Sequence, residues 1–172
     1  MIERERTFLA RMLPDNLIAF PSKEVFDIYI PRSSAHPVLR IRKNGDAYEM
    51  TKKEPVHDGD SSEQLETTIP LTKEEFGELS LLEGKRVRKI RYFVPWNNCT
   101  LEVELFKDAL EGLVLVEVEF NSTEEKDAFV PPDFCLADVT QEEFTAGGML
   151  CGKSYKDIEK DLQRYDYKPI LP

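Results

Sequence analysis

Apolar and polar residues alternate through most of the first two-thirds of the chain, the pattern of strands with one buried face. The alternation predicts strands near 2–10, 24–31, 37–43, 47–54, 63–70, 85–95, 99–107 and 113–121. Asn44-Gly45-Asp46 is a hairpin signal between the third and fourth, and Val94-Pro95-Trp96-Asn97-Asn98 reads as a later turn. The stretch 55–62, with Pro55, Gly59, Asp60, Ser61 and Ser62, reads as a loop. Eight antiparallel strands of this length close into a barrel and remove their exposed edges.

Helices are marked by their caps. Thr72-Lys73-Glu74-Glu75, Ser122-Thr123-Glu124-Glu125 and Thr140-Gln141-Glu142-Glu143 are Ser/Thr-x-x-Glu boxes. They predict helices at about 73–81, 123–129 and 141–146, and Ser154 starts a last one through about 165. Pro131-Pro132 separates barrel from C-terminal helices. The expected fold is α+β, an eight-stranded antiparallel barrel over about 2–121 with helices outside it and at about 122–165. One domain spans 1–172.

Residues two apart in a strand share a face. Glu3 and Glu5 therefore project together, as do Glu117 and Glu119, with Val116, Val118 and Phe120 opposite. Arg40 and Arg42 form such a pair, as do Lys89 and Arg91, and Glu102 and Glu104. Glu49, Thr51 and Lys53 share one face; Gln64, Glu66 and Thr68 share another. Alternation alone fits the solvent face of a sheet. Two features favour an interior face instead. The opposite faces carry Leu39, Ile41, Leu65, Ile90, Leu101, Val103, Val116 and Val118, a surface for helices to cover. The charges also segregate by strand, acidic in the first, fifth, seventh and eighth and basic in the third, fourth and sixth. Buried carboxylates need cations or a metal. An acidic wall facing a basic one suits a polyphosphate bridged to hard divalent cations, with carboxylates on the metal and Arg or Lys on phosphate oxygens. No Walker A or Gly-rich phosphate loop occurs, so side chains must cradle the phosphates.

Composition narrows the picture. Of 172 residues, 41% are hydrophobic, too many for disorder, and 33% are charged. A net charge of −10 opposes a nucleic-acid surface. No apolar run reaches membrane-span length, and no signal-peptide pattern precedes Glu3. Cys99, Cys135 and Cys151 lack a CxxC spacing and read as free thiols of a reducing cytoplasm. His36 and His57 have no ligand neighbour at a useful spacing, which argues against a zinc site or a Ser-His triad.

The ordered motifs resemble the CYTH superfamily, the triphosphate tunnel metalloenzymes. They run from Ile2-Glu3-Arg4-Glu5, which is similar to the Glu-x-Glu-x-Lys signature, through Leu39–Arg42, Tyr48–Lys53, Arg88–Tyr92, Leu101–Phe106 and Gly112–Phe120 to Asp138-Val139-Thr140. The resemblance covers about 2–155 and implies a tunnel-shaped barrel acting on triphosphates with Mg²⁺ or Mn²⁺. It implies metal-binding roles for Glu3, Glu5, Glu66, Glu104, Glu117 and Glu119. It implies triphosphate-binding roles for Arg40, Arg42, Lys53, Lys89, Arg91 and Lys153. Tyr29 matches a tyrosine near the attacking water, and Lys52 has the parity to face outward. Thr7 stands where the signature has Lys, offering a hydroxyl without a charge; Arg6, one residue away, faces the other side. The expected activity is metal-dependent hydrolysis of a linear triphosphate, inorganic tripolyphosphate first, then thiamine or nucleoside triphosphate. The alternatives are a non-catalytic triphosphate- or polyphosphate-binding module and an adenylyl cyclase. The expected protein is cytoplasmic, a monomer or homodimer, with no nucleic-acid or membrane partner.

Overall fold

The computed structural model describes residues 1–171. Eight strands close into an antiparallel barrel: β1 (Ile2–Ala10), β2 (Ser22–Ile30), β3 (Leu39–Asn44), β4 (Ala47–His57), β5 (Asp60–Leu71), β6 (Lys85–Trp96), β7 (Cys99–Phe106) and β8 (Val114–Phe120). The order around the barrel is β1-β5-β4-β3-β2-β6-β7-β8, closed by β8 on β1. A ninth short strand, β9 (Cys135–Asp138), pairs with β1 beyond the point where β5 leaves it. It lies where the prolines had marked only a boundary. Pro131-Pro132 ends the helix before it, and the chain then turns back onto the barrel.

The helices are α1 (Lys73–Leu79), α2 (Thr123–Ala128), α3 (Gly147–Leu150) and α4 (Tyr155–Gln163). Two boxes start helices as expected. At α1, Thr72 Oγ1 accepts from Glu75 N while Glu75 Oε2 accepts from Thr72 N. At α2, Ser122 Oγ accepts from Glu125 N, but Glu125 turns back one residue further, to Asn121 N. The third box does not cap a helix. The Thr140 hydroxyl accepts instead from Thr7 N, at 3.0 Å, and donates to Asp138 Oδ1, at 2.5 Å. With its cap diverted, the expected helix at 141–146 becomes a single 3₁₀ turn at Glu143–Thr145, followed by α3. The expected loop at 55–62 is also mostly strand. β4 and β5 extend to His57 and from Asp60, leaving a tight turn in which Gly59 takes φ 80°.

The outward faces of β1, β6, β7 and β8 form one apolar layer, with Phe8, Val94, Leu101, Val103, Val116 and Val118 buried beneath Leu17, Phe20, Phe129 and Phe134. α1 lies against the opposite side through the Tyr48–Phe76 ring pair, 5.0 Å apart. Helical cover is incomplete over β5, where Leu65 and Ile69 remain 46% and 53% exposed.

The inward faces divide in two. Toward the mouth formed by the 45–46 and 97–98 turns they are charged. Toward the other mouth the same parity continues as Leu9, Tyr29, Val87, Phe106, Leu113 and Leu115, packed beneath Val139, Phe144, Leu150, Ile158, Leu162 and Tyr167. The C-terminal segment thus plugs part of the barrel. Tyr167 pins it down: its hydroxyl donates to Gly112 O and accepts from Val114 N, both at 2.8 Å. Burying a large aliphatic side chain in such a plug contributes about 2 kcal/mol.

Candidate functional site

Barrel order sorts the charges. The acidic strands β7, β8, β1 and β5 are consecutive around one arc, and β4, β3, β2 and β6 form the opposite, basic arc. Between them lies a cavity of about 410 Å³. Glu3, Glu5, Glu66, Glu102, Glu117 and Glu119 line it from one side. Arg40, Arg42, Lys53, Lys89 and Arg91 line it from the other. Thr7 and Tyr29 also face it. Glu104 does not: it is fully buried behind the lining. Lys153 is not brought to the cavity. Lys52 points away from the interior and pairs with Glu54 at 2.9 Å.

The walls are joined where the arcs meet. At the β4–β5 seam, Lys53 sits opposite Glu66, contacts Glu3, and lies 3.3 Å from Glu5 and 3.6 Å from Glu66. Burial disfavours its charge, but Glu5 and Glu3 outweigh this and raise its pKa. At the β6–β7 seam, Glu104 pairs with both Lys89 and Arg91. Burial opposes its ionisation, but Arg91 and Lys89 overcome that and hold its carboxyl below the usual range. Arg91 also reaches Glu102, and Glu117 at 3.3 Å.

The middle of the acidic arc is only partly relieved, by Arg91 at Glu102 and Glu117 and by Lys53 at Glu5. Register sets Glu5 directly against Glu119, and Glu102 against Glu117, and like charges so placed are destabilising. Burial, with Glu117 and Glu104 beside it, pushes Glu102 up to about 7 against the pull of Arg91. Glu119 is likewise pushed up to about 7, by lost hydration and then by Glu3 and Glu102. Glu117 is raised by burial and by Glu104. Glu102, Glu104 and Glu117 each bring one carboxylate oxygen within 4.8 Å of the others. The arc therefore carries more negative charge than its protein cations neutralise.

The segment 139–148 crosses one mouth. Val139 N donates to Thr7 O at 2.8 Å, and Gln141 bridges the β4–β5 turn through Ser61 N and Asp60, both at 2.9 Å. Glu143 meets His36 on the β2–β3 loop at 3.1 Å. Gly147 then lies directly on the Tyr29 hydroxyl, where a Cβ would stand 2.1 Å from the oxygen. The Tyr29 hydroxyl in turn accepts from Arg40 Nη1 at 3.1 Å.

A model of the CYTH domain matches residues 1–133. The chain belongs to the CYTH domain family. It is 36% identical over 144 residues to an inorganic triphosphatase of Nitrosomonas europaea, a match covering 83% of this chain and 91% of that protein. The crystal structure of the inorganic triphosphatase NE1496 superposes with a TM-score of 0.63 at 29% identity, covering 88% and 95% of the two chains. A conserved hypothetical protein of Pyrococcus furiosus shares the fold, with a TM-score of 0.52 at 22% identity over 73% of this chain and 83% of its own. The family's tunnel-shaped barrel is the architecture described above.

Several residues of the cavity and its support escaped the sequence reading. Glu102 lines the cavity while Glu104, its partner in the alternation, does not. His36, without a ligand neighbour in the sequence, stands on the rim with Glu143. Asp27 is 2% exposed and forks onto Arg42, accepting from Nε at 2.6 Å and Nη2 at 2.7 Å. Its signal was present: one acid inside Val25-Phe26-Asp27-Ile28-Tyr29-Ile30 needs a buried cation.

Proposed function

We propose that this protein hydrolyses a linear triphosphate, inorganic tripolyphosphate first, with Mg²⁺ or Mn²⁺. One observation carries the reading: an acidic arc and a basic arc face each other across a single cavity. Placement among triphosphate-cleaving hydrolases is supported by the 36% identity to an inorganic triphosphatase. A divalent ion fits the residues present. The donors are all carboxylate oxygens, the preference of hard cations, and the acid-against-acid register leaves negative charge for such an ion to neutralise. Glu3, Glu5, Glu117 and Glu119 would hold it, with Glu102 and Glu66 contributing. When bound, it would screen phosphate charge and lower the pKa of a coordinated water.

The chain's own residues do the rest. Arg40, Arg42, Lys53, Lys89 and Arg91 take the phosphate oxygens and fix the chain of phosphates in line for attack. Because Arg40 donates to the Tyr29 oxygen, the Tyr29 proton is free to orient a water or a phosphate oxygen. Thr7 adds a neutral hydroxyl opposite Glu117. Lys53 and Arg91 must leave carboxylates to reach phosphate, and those carboxylates then need the metal. Metal and triphosphate are therefore expected to bind cooperatively.

The test is phosphate release from tripolyphosphate, thiamine triphosphate and ATP, with Mg²⁺, Mn²⁺ or neither. Metal-dependent release with tripolyphosphate fastest supports the reading. Thr7 favours a second one, a triphosphate-binding module without turnover, since that position contributes no cation. It predicts calorimetric binding with no release, and release gained in Thr7→Lys.

A further inference from the structure

The basic arc is built in two ways. Lys53 and Arg91 lie against acids that line the cavity. Arg42 does not. Its guanidinium is held from behind by Asp27, which does not line the cavity. Asp27 and Arg42 are cross-strand partners on β2 and β3, and Arg40 pairs with Tyr29 one step along the same ladder. The fork consumes Nε and one side of Nη2, and Nη1 makes no hydrogen bond among the described residues. A two-point pair fixes the plane of a guanidinium as well as its position. Arg40 repels Arg42 across this arc, so a guanidinium without a local anion would be driven toward the carboxylates opposite.

We propose that Asp27 is a positioning residue for the anionic substrate. It keeps Arg42 on the basic arc, off the candidate metal-binding acids, with the Nη1 edge left for a phosphate oxygen. The inference rests on the reading of the cavity as a triphosphate site. Glu104 holds Lys89 and Arg91 similarly, but it also stands within reach of Glu102 and Glu117, so its substitution would mix two effects. Asp27 is free of that overlap.

The test is steady-state kinetics with inorganic tripolyphosphate and Mg²⁺, with a calorimetric Kd replacing KM if turnover is absent. Asp27→Asn should raise KM about tenfold while kcat stays within about threefold. Arg42→Gln should raise KM at least as much, and the double variant should be no worse than Arg42→Gln alone, because Asp27 acts through Arg42. Should Asp27→Asn fail to fold, Arg42→Lys serves: it keeps the charge, loses the fork, and should also raise KM about tenfold. An unchanged KM in Asp27→Asn or Arg42→Lys overturns the proposal, as do effects that multiply in the double variant. A wild-type protein that binds no tripolyphosphate overturns the function and this inference together. Binding that is indifferent to Asp27 overturns the inference alone.

Discussion

The inward face, followed along any of four strands, changes from charged to apolar partway through the barrel, and the boundary steps along from β8 to β7 to β6. On β1 it runs Glu3, Glu5, Thr7, Leu9; on β8 it runs Glu119, Glu117, Leu115, Leu113. On β7 Glu102 and Glu104 give way to Phe106, and on β6 Arg91 and Lys89 give way to Val87. Nothing in the backbone changes across that boundary, since register and parity continue. The charged half is left electrostatically frustrated and holds the cavity. The apolar half is filled by the C-terminal segment and supplies the stability to tolerate that frustration. The contrast matches the tendency of functional sites to break rules that the rest of a fold obeys.

The largest expected effect lies in the charged half. Glu117→Gln keeps the shape but removes a charge from the middle of the acidic arc. Metal-dependent phosphate release should fall by about 100-fold or more, measured as kcat/KM. Thermal stability should hold or rise, because the burial of this carboxylate already raises its pKa. A variant that still releases phosphate at the wild-type rate would remove Glu117 from the candidate metal site. Leu115→Ala, two residues along the same face, should do the opposite. It leaves a cavity in the plug and should cost about 3 kcal/mol by denaturant unfolding, with KM for tripolyphosphate unchanged in the folded protein.

A third variant uses pH. Glu102 has its pKa raised from 4.5 to about 7 in the folded state. A carboxyl so raised holds its proton more tightly folded than unfolded, so stability falls as pH climbs from about 4.5 to about 7 and levels off above that. Glu102→Gln should remove this loss, gaining about 3 kcal/mol at pH 8 and little at pH 4. Adding Mg²⁺ to the wild type should recover part of the same stability. Equal Tm differences at both pH values would show that Glu102 is not the strained group.

Strand parity carried most of this from the sequence, because a period of two is imposed by the backbone and survives any tertiary arrangement. It put Glu3, Glu5, Glu117 and Glu119 on inward faces, and Arg40, Arg42, Lys89 and Arg91 likewise. What parity cannot carry is adjacency. That Lys53 meets Glu3 and Glu5, or that Glu5 faces Glu119, depends on β5 closing onto β1 and on a register that no local pattern encodes. The same limit explains Glu104. It alternates with Glu102 and shares its face, yet Lys89 and Arg91 on the next strand draw it out of the cavity. Around 140–148 local signals failed outright. The Thr140 box was spent on Thr7 across the barrel, and Gly147-Gly148, poor helix residues, are set by their approach to Tyr29 and Pro37.

Tyr29 stands on the boundary between the halves and so tests the comparison most finely. Its ring belongs to the apolar plug, while its hydroxyl reaches into the cavity to Arg40 and under Gly147. Tyr29→Phe removes only the oxygen. The ring still packs, so stability should change by about 1 kcal/mol or less, the usual net worth of one hydrogen bond. Arg40 Nη1 loses its acceptor, and the cavity loses the one phenol that lines it among the described residues. Turnover of tripolyphosphate should therefore drop about fivefold to tenfold. If turnover holds and stability instead falls by several kcal/mol, Tyr29 belongs wholly to the plug, and the chemical boundary lies one residue nearer the open mouth.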